Sequence, residues 1–276
     1  GYYCQAYEKH YSGGRKMIRA LSIAGSGMKI QQMQLDTIAN NLSNVNTTGF
    51  KKNNIEFQDM LYQKMQVATR ERPVNIEVGT GARLSSTMVD FSQGILEQVE
   101  NPFSLAIDGT GFFRVQLANG DVGYSRNGAF NLNADNVLVT ADGYKVLDSS
   151  GAEIELPSPF EDVQITETGE VFVKEVGNAD FTSIGVLGLT TFPNPAGLEK
   201  KGGSVYMPNV TSGEPIDGEA GEEGFGKVRQ RFLERSNVQV VDEMIKMITS
   251  QRAYEISTKM IQTSDDILQM TNNLKR

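Results

Sequence analysis

Residues Ser236-Asn-Val-Gln-Val-Val-Asp-Glu-Met-Ile245 open a stretch that runs to Arg276 without a glycine or a proline, and this stretch decides the fold. Its start has the pattern of a capping box, in which the Ser236 hydroxyl accepts from the third helical N–H and the Gln239 side chain reaches back. Asp242 and Glu243 follow, where the helix dipole favours negative charge. The sequence therefore predicts a long helix over residues 236–276.

Apolar residues recur along this helix at steps of three and four, the periodicity of a single helical face. The step of eleven residues from Ile245 to Ile256 is typical of a locally straightened supercoil. The pattern predicts a coiled coil or an assembly element, although an ordinary terminal helix packed on a globular core fits the spacing equally well. The predicted contact residues are Val238, Val241, Ile245, Ile248, Ile256, Met260, Ile267, Met270 and Leu274.

A second segment near the start carries the matching pattern and is the predicted partner of the first. Gln31 is its single large polar contact position, a kind of residue that can fix the register of a coiled coil. Gly25 and Gly27 each cost about 1 kcal/mol relative to alanine in a helix interior, so this helix should depend on a partner. Its predicted contact residues are Leu21, Ala24, Met28, Gln31, Leu35, Ile38, Leu42 and Val45.

Methionines are concentrated in these two segments, at Met28, Met33, Met244, Met247, Met260 and Met270. Core filling explains them, and so does an adaptable surface for contacts between subunits, because methionine is flexible and polarisable.

Composition excludes several classes of protein. The net charge of -8 argues against nucleic acid as the main partner. Residues 1–52 nevertheless hold seven Lys and Arg against two Asp and Glu. The single cysteine, Cys4, excludes an intrachain disulfide, and no run of eighteen apolar residues predicts a membrane span.

The search for catalytic, cofactor and metal sites yields none. The one histidine, His10, supports neither a histidine-based triad nor a histidine metal cluster, and no phosphate-binding glycine loop occurs. Asn131-x-Asn133-x-Asp135 is similar to the start of a calcium loop, but Asn136 replaces the expected glycine, so a β-turn is predicted there. We predict that the protein is not an enzyme and uses no cofactor.

Between the two helical segments the signals change to strand. Short runs rich in β-branched and aromatic residues are separated by Asp108-Gly109, Asn119-Gly120, Asn127-Gly128, Asp142-Gly143 and Ser150-Gly151. Such pairs between apolar runs predict hairpins. The fold class is therefore α+β, with N- and C-terminal helices forming a coiled-coil-like element around an all-β antiparallel middle domain, either a sandwich or a partly open barrel.

Five segments follow from these patterns. Residues 1–16 lack the apolar centre of a secretory signal and are interpreted as an extension before Met17, natural or left by cloning. Residues 17–52 form the N-terminal helical segment, 53–81 a connecting arm, 82–235 the β domain and 236–276 the C-terminal helical segment.

Two terminal motifs resemble the signatures of the flagellar rod and hook family. The first is Ile38-Ala-Asn-Asn-Leu-Ser-Asn-Val-Asn-Thr-Thr-Gly-Phe-Lys51, in which Asn40, Asn41, Asn44, Gly49 and Phe50 form the motif turn. The second runs from Ser236 through Gln251-Arg252-Ala253-Tyr254-Glu255. Leu105–Val115 and Tyr124–Phe130 resemble the family's β domain. The match is closest to the distal-rod type, although the segment between Tyr62 and Gly94 is shorter than in the best-known distal-rod sequences.

The resemblance implies a structural subunit of the bacterial flagellar rod that polymerises into a hollow helical drive shaft and transmits torque to the hook. It implies export through the flagellar type III apparatus without a cleaved signal peptide, and a location in the basal body across the periplasm. The implied partners are other copies of the chain, neighbouring rod and hook proteins, surrounding ring or bushing proteins and the export apparatus. A proximal-rod or hook subunit, or a soluble β-module that binds a protein or carbohydrate, is the alternative.

Overall fold

The computed structural model describes residues 2–59, 62–66, 76–79, 82–177 and 180–273. Two compact units share the chain. Unit 1 consists of Gly1–Leu42, Asn53–Met88 and Val240–Arg276, and unit 2 consists of Ser43–Lys52 and Val89–Gln239. Each unit is therefore built from segments that are far apart in sequence.

Among the residues of unit 1 that the structure describes there are two helices and four strands. Helix α1 spans Tyr2–Ser43 and helix α2 spans Val240–Asn273. Strand β1 (Asn53–Asp59) pairs with β4 (Ala82–Val89), and β2 (Tyr62–Gln66) pairs antiparallel with β3 (Ile76–Gly79). Both long helices predicted from the apolar periodicity are present. Helix α1 also runs through Met17 without a break.

Unit 2 holds sixteen short strands and one 3₁₀ turn, Pro195–Gly197, among its described residues. The strands are β5 Leu96–Gln98, β6 Leu105–Asp108, β7 Phe112–Gln116, β8 Val122–Ser125, β9 Asn131–Leu132, β10 Leu138–Val139, β11 Lys145–Val146, β12 Phe160–Ile165, β13 Glu170–Glu175, β14 Phe181–Val186, β15 Gly188–Thr191, β16 Glu199–Gly202, β17 Val205–Met207, β18 Ile216–Glu219, β19 Lys227–Gln230 and β20 Phe232–Glu234.

Strand β7 lies at the centre of the largest sheet, which has nine strands. It pairs antiparallel with β8 along one edge, and its other edge is shared between β15 and β11. Successive side chains of a strand point to opposite faces, so Phe113 and Val115 enter the main core, while Phe112, which is also buried, joins a second, aromatic cluster with Tyr206. A separate sheet, β12-β13-β14, contributes Val163, Ile165, Val171 and Val173 to the main core.

The hairpin predictions are right at two of the five turn pairs. Asn119-Gly120 joins β7 to β8, and Asp142-Gly143 joins β10 to β11. Asp108-Gly109 does not make a hairpin, because β6 pairs with β19 while β7 belongs to the nine-stranded sheet. Gly128 serves a close backbone approach instead, since a Cβ there would lie 1.7 Å from the Leu105 carbonyl oxygen.

The structure has a turn at both remaining predicted positions, Ser150-Gly151 and Asn131–Asp135. Ser150-Gly151 closes a tight turn in which the Gly151 N–H donates to the Asp148 carbonyl oxygen over 3.1 Å. The Asn133 side-chain oxygen accepts from the Asp135 and Val137 N–H groups at 2.9 Å, as expected for a β-turn. The coarse prediction of two terminal helices around a mostly antiparallel β middle is confirmed.

The predicted capping box is wrong in its position. Helix α2 begins at Val240, and the Ser236 hydroxyl accepts from the Val238 N–H at 3.3 Å, before the helix. The reason is that Asn237 is held in unit 2: its side chain accepts from the Lys52 N–H at 2.9 Å and donates to the Asp90 carbonyl oxygen at 2.9 Å. These bonds keep residues 236–239 out of the helix.

Candidate assembly surface

Helix α2 exposes a row of large apolar side chains along one face. Each of them is between 51% and 68% exposed, whereas a surface helix normally turns such residues toward its own core. We call this row the apolar stripe; it consists of Val241, Met244, Ile245, Ile248, Ile256, Met260 and Met270. The sequence predicted six of these residues as contact positions, all but Met244. Of the other predicted residues, Ile267 is 39% exposed on α2, Val238 is buried before the helix, and Leu274 lies outside the described residues.

The opposite face of α2 is small and polar. Glu243 and Ser250 are buried there, and Ala253 and Ser257 are half-buried. This face meets α1: the Thr258 hydroxyl donates to the Met28 sulfur at 3.5 Å. Helix α2 therefore contacts α1 through short and polar side chains and leaves its apolar stripe exposed.

Helix α1 turns its predicted contact positions inward. Ala24 and Ile38 are buried, and Leu21, Met28, Gln31, Leu35 and Leu42 are half-buried. Val45 lies in the turn after α1, which ends at Ser43. A Cβ added at Gly27 would lie 3.9 Å from the Ser257 hydroxyl oxygen, an ordinary van der Waals distance, so α1 faces α2 at this position.

Asn41, from the first terminal motif, is the best-defined polar contact between the two helices. Its side-chain amide donates to the Glu243 carboxylate at 3.2 Å and to the Asn53 carbonyl oxygen at 2.9 Å, and its oxygen accepts from the Asn53 N–H at 2.9 Å. Asn41 and Glu243 are 1% and 2% exposed. The pairing of Met28 with Thr258 and of Asn41 with Glu243 shows that α1 and α2 run antiparallel.

The rest of the first motif forms a turn within unit 2. Asn44 accepts from both the N–H and the hydroxyl of Thr47, at 3.1 Å and 3.2 Å, while Asn40 is exposed on α1. Gly49 has φ +67 and lies six residues beyond the end of α1, so it does not cap that helix. Its N–H donates to the Glu234 carbonyl oxygen at 2.8 Å. Phe50 is buried, with the Lys200 ammonium 4.1 Å from its ring centroid.

A buried cluster of charges holds this turn to the rest of unit 2. The Lys51 ammonium lies 2.6 Å from the Glu234 carboxylate, and neither side chain is more than 1% exposed. Glu234 also accepts from the Gly94 N–H at 2.8 Å and lies 3.5 Å from the Arg126 guanidinium. We call Lys51, Glu234 and Arg126 the Glu234 cluster. Through Lys51, Gly94 and Glu234 these contacts join the three segments in which the chain enters or leaves unit 2.

Burial dominates the electrostatics of this cluster. It lowers the pKa of Lys51, and the Glu234 carboxylate opposes that shift. It also raises the pKa of the Tyr206 phenol, and the nearby Glu234 charge adds to the rise. No sequence pattern predicted the cluster of Lys51, Arg126 and Glu234, because the two cations are far from the carboxylate in sequence. Lys51 and Glu234 are 183 residues apart. Only the position of Lys51 at the end of the first motif was a signal.

The second motif lies on α2. Gln251 and Tyr254 are exposed, Ala253 is half-buried, and Arg252 makes an exposed ion pair with Glu255 at 3.1 Å, one helical turn away. These residues border the apolar stripe without forming a pocket.

Catalytic chemistry finds no support in the described part of the chain. No group of three or more His, Cys, Asp or Glu residues there could hold a metal ion. No helix among the residues described is long and apolar enough to span a membrane.

Comparison with known protein families gives three matches along the chain. Residues 21–51 match the flagella basal body rod protein family, residues 106–173 the D1 domain of the flagellar hook proteins FlgE/F/G, and residues 229–274 the C-terminal domain of the flagellar basal body rod FlgEFG proteins. The first and third matches contain the two terminal motifs, and the second covers most of the nine-stranded sheet's central strands.

Characterised relatives match over almost their whole length. The flagellar basal-body rod protein FlgG of Borreliella burgdorferi is 42% identical over 94% of this chain and 100% of the relative. The FlgG proteins of Agrobacterium fabrum and Bacillus subtilis are 41% and 36% identical with the same coverage. These matches confirm the family that the terminal motifs predicted: the chain belongs to the FlgG family of flagellar basal-body rod proteins, and it is a structural subunit of the distal rod and not an enzyme.

Proposed function

We propose that this chain polymerises into a hollow helical rod through its two terminal helices, and that the rod transmits torque to the hook. In this proposal α1 and α2 of each subunit form a coiled-coil-like layer that is completed by the helices of neighbouring subunits. The β strands of unit 2 build the part of the subunit that does not depend on neighbours for its core.

The exposed apolar stripe of α2 is the observation that supports this proposal most directly. Large apolar side chains exposed in a continuous row on a folded protein are typical of a surface that is covered by a partner. Seven such residues lie on one face of α2, while its polar face is used within the subunit. A second copy of the chain is the proposed occupant, because the FlgG relatives are rod proteins.

The geometry required is a heterologous contact, in which one surface of a subunit meets a different surface of the next. Such contacts generate open helical filaments when the rotation does not close into a ring. Under this proposal the stripe of one α2 meets a surface other than the stripe of its neighbour. The motif residues Gln251–Glu255, which border the stripe, lie in the same contact.

The cellular setting follows from the same family. We infer that the subunit passes through the flagellar type III export apparatus, joins neighbouring rod and hook proteins in the basal body, and crosses the periplasm inside surrounding ring or bushing proteins. The relatives carry the name of basal-body rod proteins, which supports the location in the basal body.

A pair of single substitutions tests the assembly surface. Ile256→Glu places a charge at the middle of the stripe, and we expect the polymer recovered by sedimentation to fall to the level of the soluble subunit because a buried unpaired charge is costly. Ile95→Glu is the matched control, since Ile95 is 76% exposed in unit 2 and lies outside the stripe. Electron microscopy of the pellets identifies tubes. Normal tubes from the Ile256→Glu protein would contradict the proposal.

A further inference from the structure

Three of the seven residues in the apolar stripe are methionines, and each has more than half of its surface exposed to solvent. Met244, Met260 and Met270 are 51%, 53% and 59% exposed. The other members of the stripe are valine and isoleucine, which have no oxidisable atom. The proposed assembly contact therefore contains methionine, an apolar side chain that oxidation converts into a polar one.

Three other methionines whose side chains the structure describes lie in different surroundings. Met28 is half-buried between the helices, where its sulfur accepts from the Thr258 hydroxyl, and Met247 is half-buried on the α1-facing side of α2. Met88 is 38% exposed, but it lies on β4 and not on the stripe. Exposure and position on the assembly surface coincide at Met244, Met260 and Met270.

The relevant reaction is the two-electron oxidation of a thioether. Hydrogen peroxide transfers one oxygen atom to the methionine sulfur; an S–O bond forms, the peroxide O–O bond breaks, and water is released. The sulfur is oxidised and the peroxide is reduced, with no change in the net charge of the protein. The product is a polar and chiral sulfoxide, which disrupts methionine-rich contact surfaces and which methionine sulfoxide reductases restore.

We propose that Met244, Met260 and Met270 form a peroxide-sensitive modification site whose oxidation blocks assembly of the free subunit. The inference rests on the proposed function, since it requires the stripe to be the contact between copies. Once a subunit is assembled, its neighbours cover the three sulfurs and protect them. Oxidation thus acts on subunits before assembly and spares the finished rod.

The first test maps the site directly. Soluble subunit carrying Cys4→Ser, so that no thiol reacts, is treated with graded hydrogen peroxide, and sulfoxides are located by mass spectrometry of peptides. We expect Met244, Met260 and Met270 to oxidise several-fold faster than Met28 and Met247. Equal rates at all five methionines would overturn the assignment of the site, whatever the assembly behaviour.

The second test measures the consequence for assembly by sedimentation. The oxidised Cys4→Ser subunit should lose polymer in proportion to its stripe sulfoxides and recover it after treatment with methionine sulfoxide reductases. A triple variant, Met244→Leu with Met260→Leu and Met270→Leu, keeps the apolar volume and should polymerise equally well before and after peroxide. Met88→Leu is the control and should stay as sensitive as the parent.

The outcomes separate the two proposals. If the parent polymerises without peroxide and fully oxidised subunit polymerises just as well, the modification site is wrong and the assembly surface stands. If the untreated parent forms no polymer under any condition, the proposed function and this inference both fail. The expected result is that peroxide blocks polymerisation of the parent and of Met88→Leu but not of the triple variant. In polymer formed before treatment, the sulfurs of Met244, Met260 and Met270 should oxidise more slowly than in the free subunit.

Discussion

At the scale of single residues, the Glu234 cluster shows how a charged group is kept inside a β domain. Removing a cation from water is costly, and burial accordingly lowers the pKa of Lys51. The cost is offset because Glu234 lies 2.6 Å away and because the Lys51 ammonium also donates to the Ser92 carbonyl oxygen at 2.8 Å. Each member depends on the others, so the cluster tolerates poorly the loss of one.

We expect Lys51→Met to destabilise unit 2 by about 3 kcal/mol, because breaking a buried pair leaves the Glu234 carboxylate short of its nearest cation. Urea unfolding followed by tyrosine fluorescence measures the loss as a lower midpoint. Lys227→Met is the matched control: its pair with Glu167 spans 2.8 Å at the surface, where ion pairs contribute little. Equal midpoints for the two variants would show that the buried pair does not stabilise the unit.

Gly49 carries a second residue-scale prediction. Its φ of +67 disfavours any side chain, and a Cβ there would lie 2.6 Å from the Asn127 backbone nitrogen. We expect Gly49→Ala to destabilise unit 2 by more than the roughly 1–2 kcal/mol of a left-handed alanine. Gly120→Ala separates strain from collision, because Gly120 has φ +88 but nothing within 4 Å of its added Cβ. The prediction fails if both substitutions lower the urea midpoint equally.

Asp90 supplies a pH dependence. Burial raises the pKa of its carboxyl, but hydrogen bonds from Ser92 and Lys52 outweigh burial and leave the pKa lowered. A carboxyl with a lowered folded pKa adds stability that is present above its unfolded pKa of about 4 and is lost as the pH falls through the folded value. The difference in stability between the parent and Asp90→Asn should therefore shrink between pH 5 and pH 2. A difference that stays constant with pH would contradict the assignment.

At the scale of elements, two interior glycines lower the helix propensity of α1, while α2 has a polar face that contacts α1 and an exposed apolar face. Gly25 and Gly27 lower the helix propensity of α1, and Gly27 faces the short side chain of Ser257 on α2. The apolar periodicity of α2 marks the side that faces away from α1. Under the proposed function, neighbouring subunits supply the contacts that complete this helix pair.

Restoring helix propensity in α1 tests this account. Gly25→Ala meets nothing within 4 Å, and the new methyl of Gly27→Ala makes ordinary contact with Ser257 at 3.9 Å. We expect each substitution to stabilise α1 by about 1 kcal/mol, seen as a higher melting temperature of the helical circular-dichroism signal. Gly27→Leu is the control, because its larger side chain extends beyond the Cβ position toward Ser257 of α2. This substitution should lower the melting temperature. An unchanged signal in both alanine variants would mean that α1 is not limited by its glycines.

At the scale of the whole molecule, unit 2 includes a piece of chain that the sequence pattern assigns to the N-terminal helical segment. Residues 43–52 belong to unit 2 and are fixed there by three backbone N–H bonds: Gly49 to the Glu234 carbonyl oxygen, Lys52 to the Asn237 side chain and Asp90 to the Lys52 carbonyl oxygen. The domain boundaries given by the sequence remain a prediction.

Hydrogen exchange of the soluble subunit tests whether this piece folds with unit 2. Peptides over residues 44–52 should be protected as strongly as those over β7, since amides of one cooperative unit exchange through the same opening. In the Lys51→Met protein the peptides over 44–52 and over β7 should both exchange faster, because the substitution destabilises the unit that contains them. Exchange at 44–52 as fast as in the first turns of α1, in the parent, would assign the segment to the helices instead.

Local patterns along the sequence determined the two helices, the β-rich middle, the hairpins at Asn119-Gly120 and Asp142-Gly143, and the family. Each of these depends on residues that are close in sequence, so periodicity and turn chemistry are enough to predict them.

Only the tertiary structure decided what lies far apart in sequence. Helix α2 begins at Val240 because the Asn237 side chain is hydrogen-bonded to Lys52 and Asp90. The folded chain also places Lys51 beside Glu234 and Asn41 beside Glu243. It also decided which side of α2 is exposed, since a repeat of three and four gives an apolar face but not the partner that covers it. Those outcomes depend on the competition between contacts across the folded chain, which no local pattern contains.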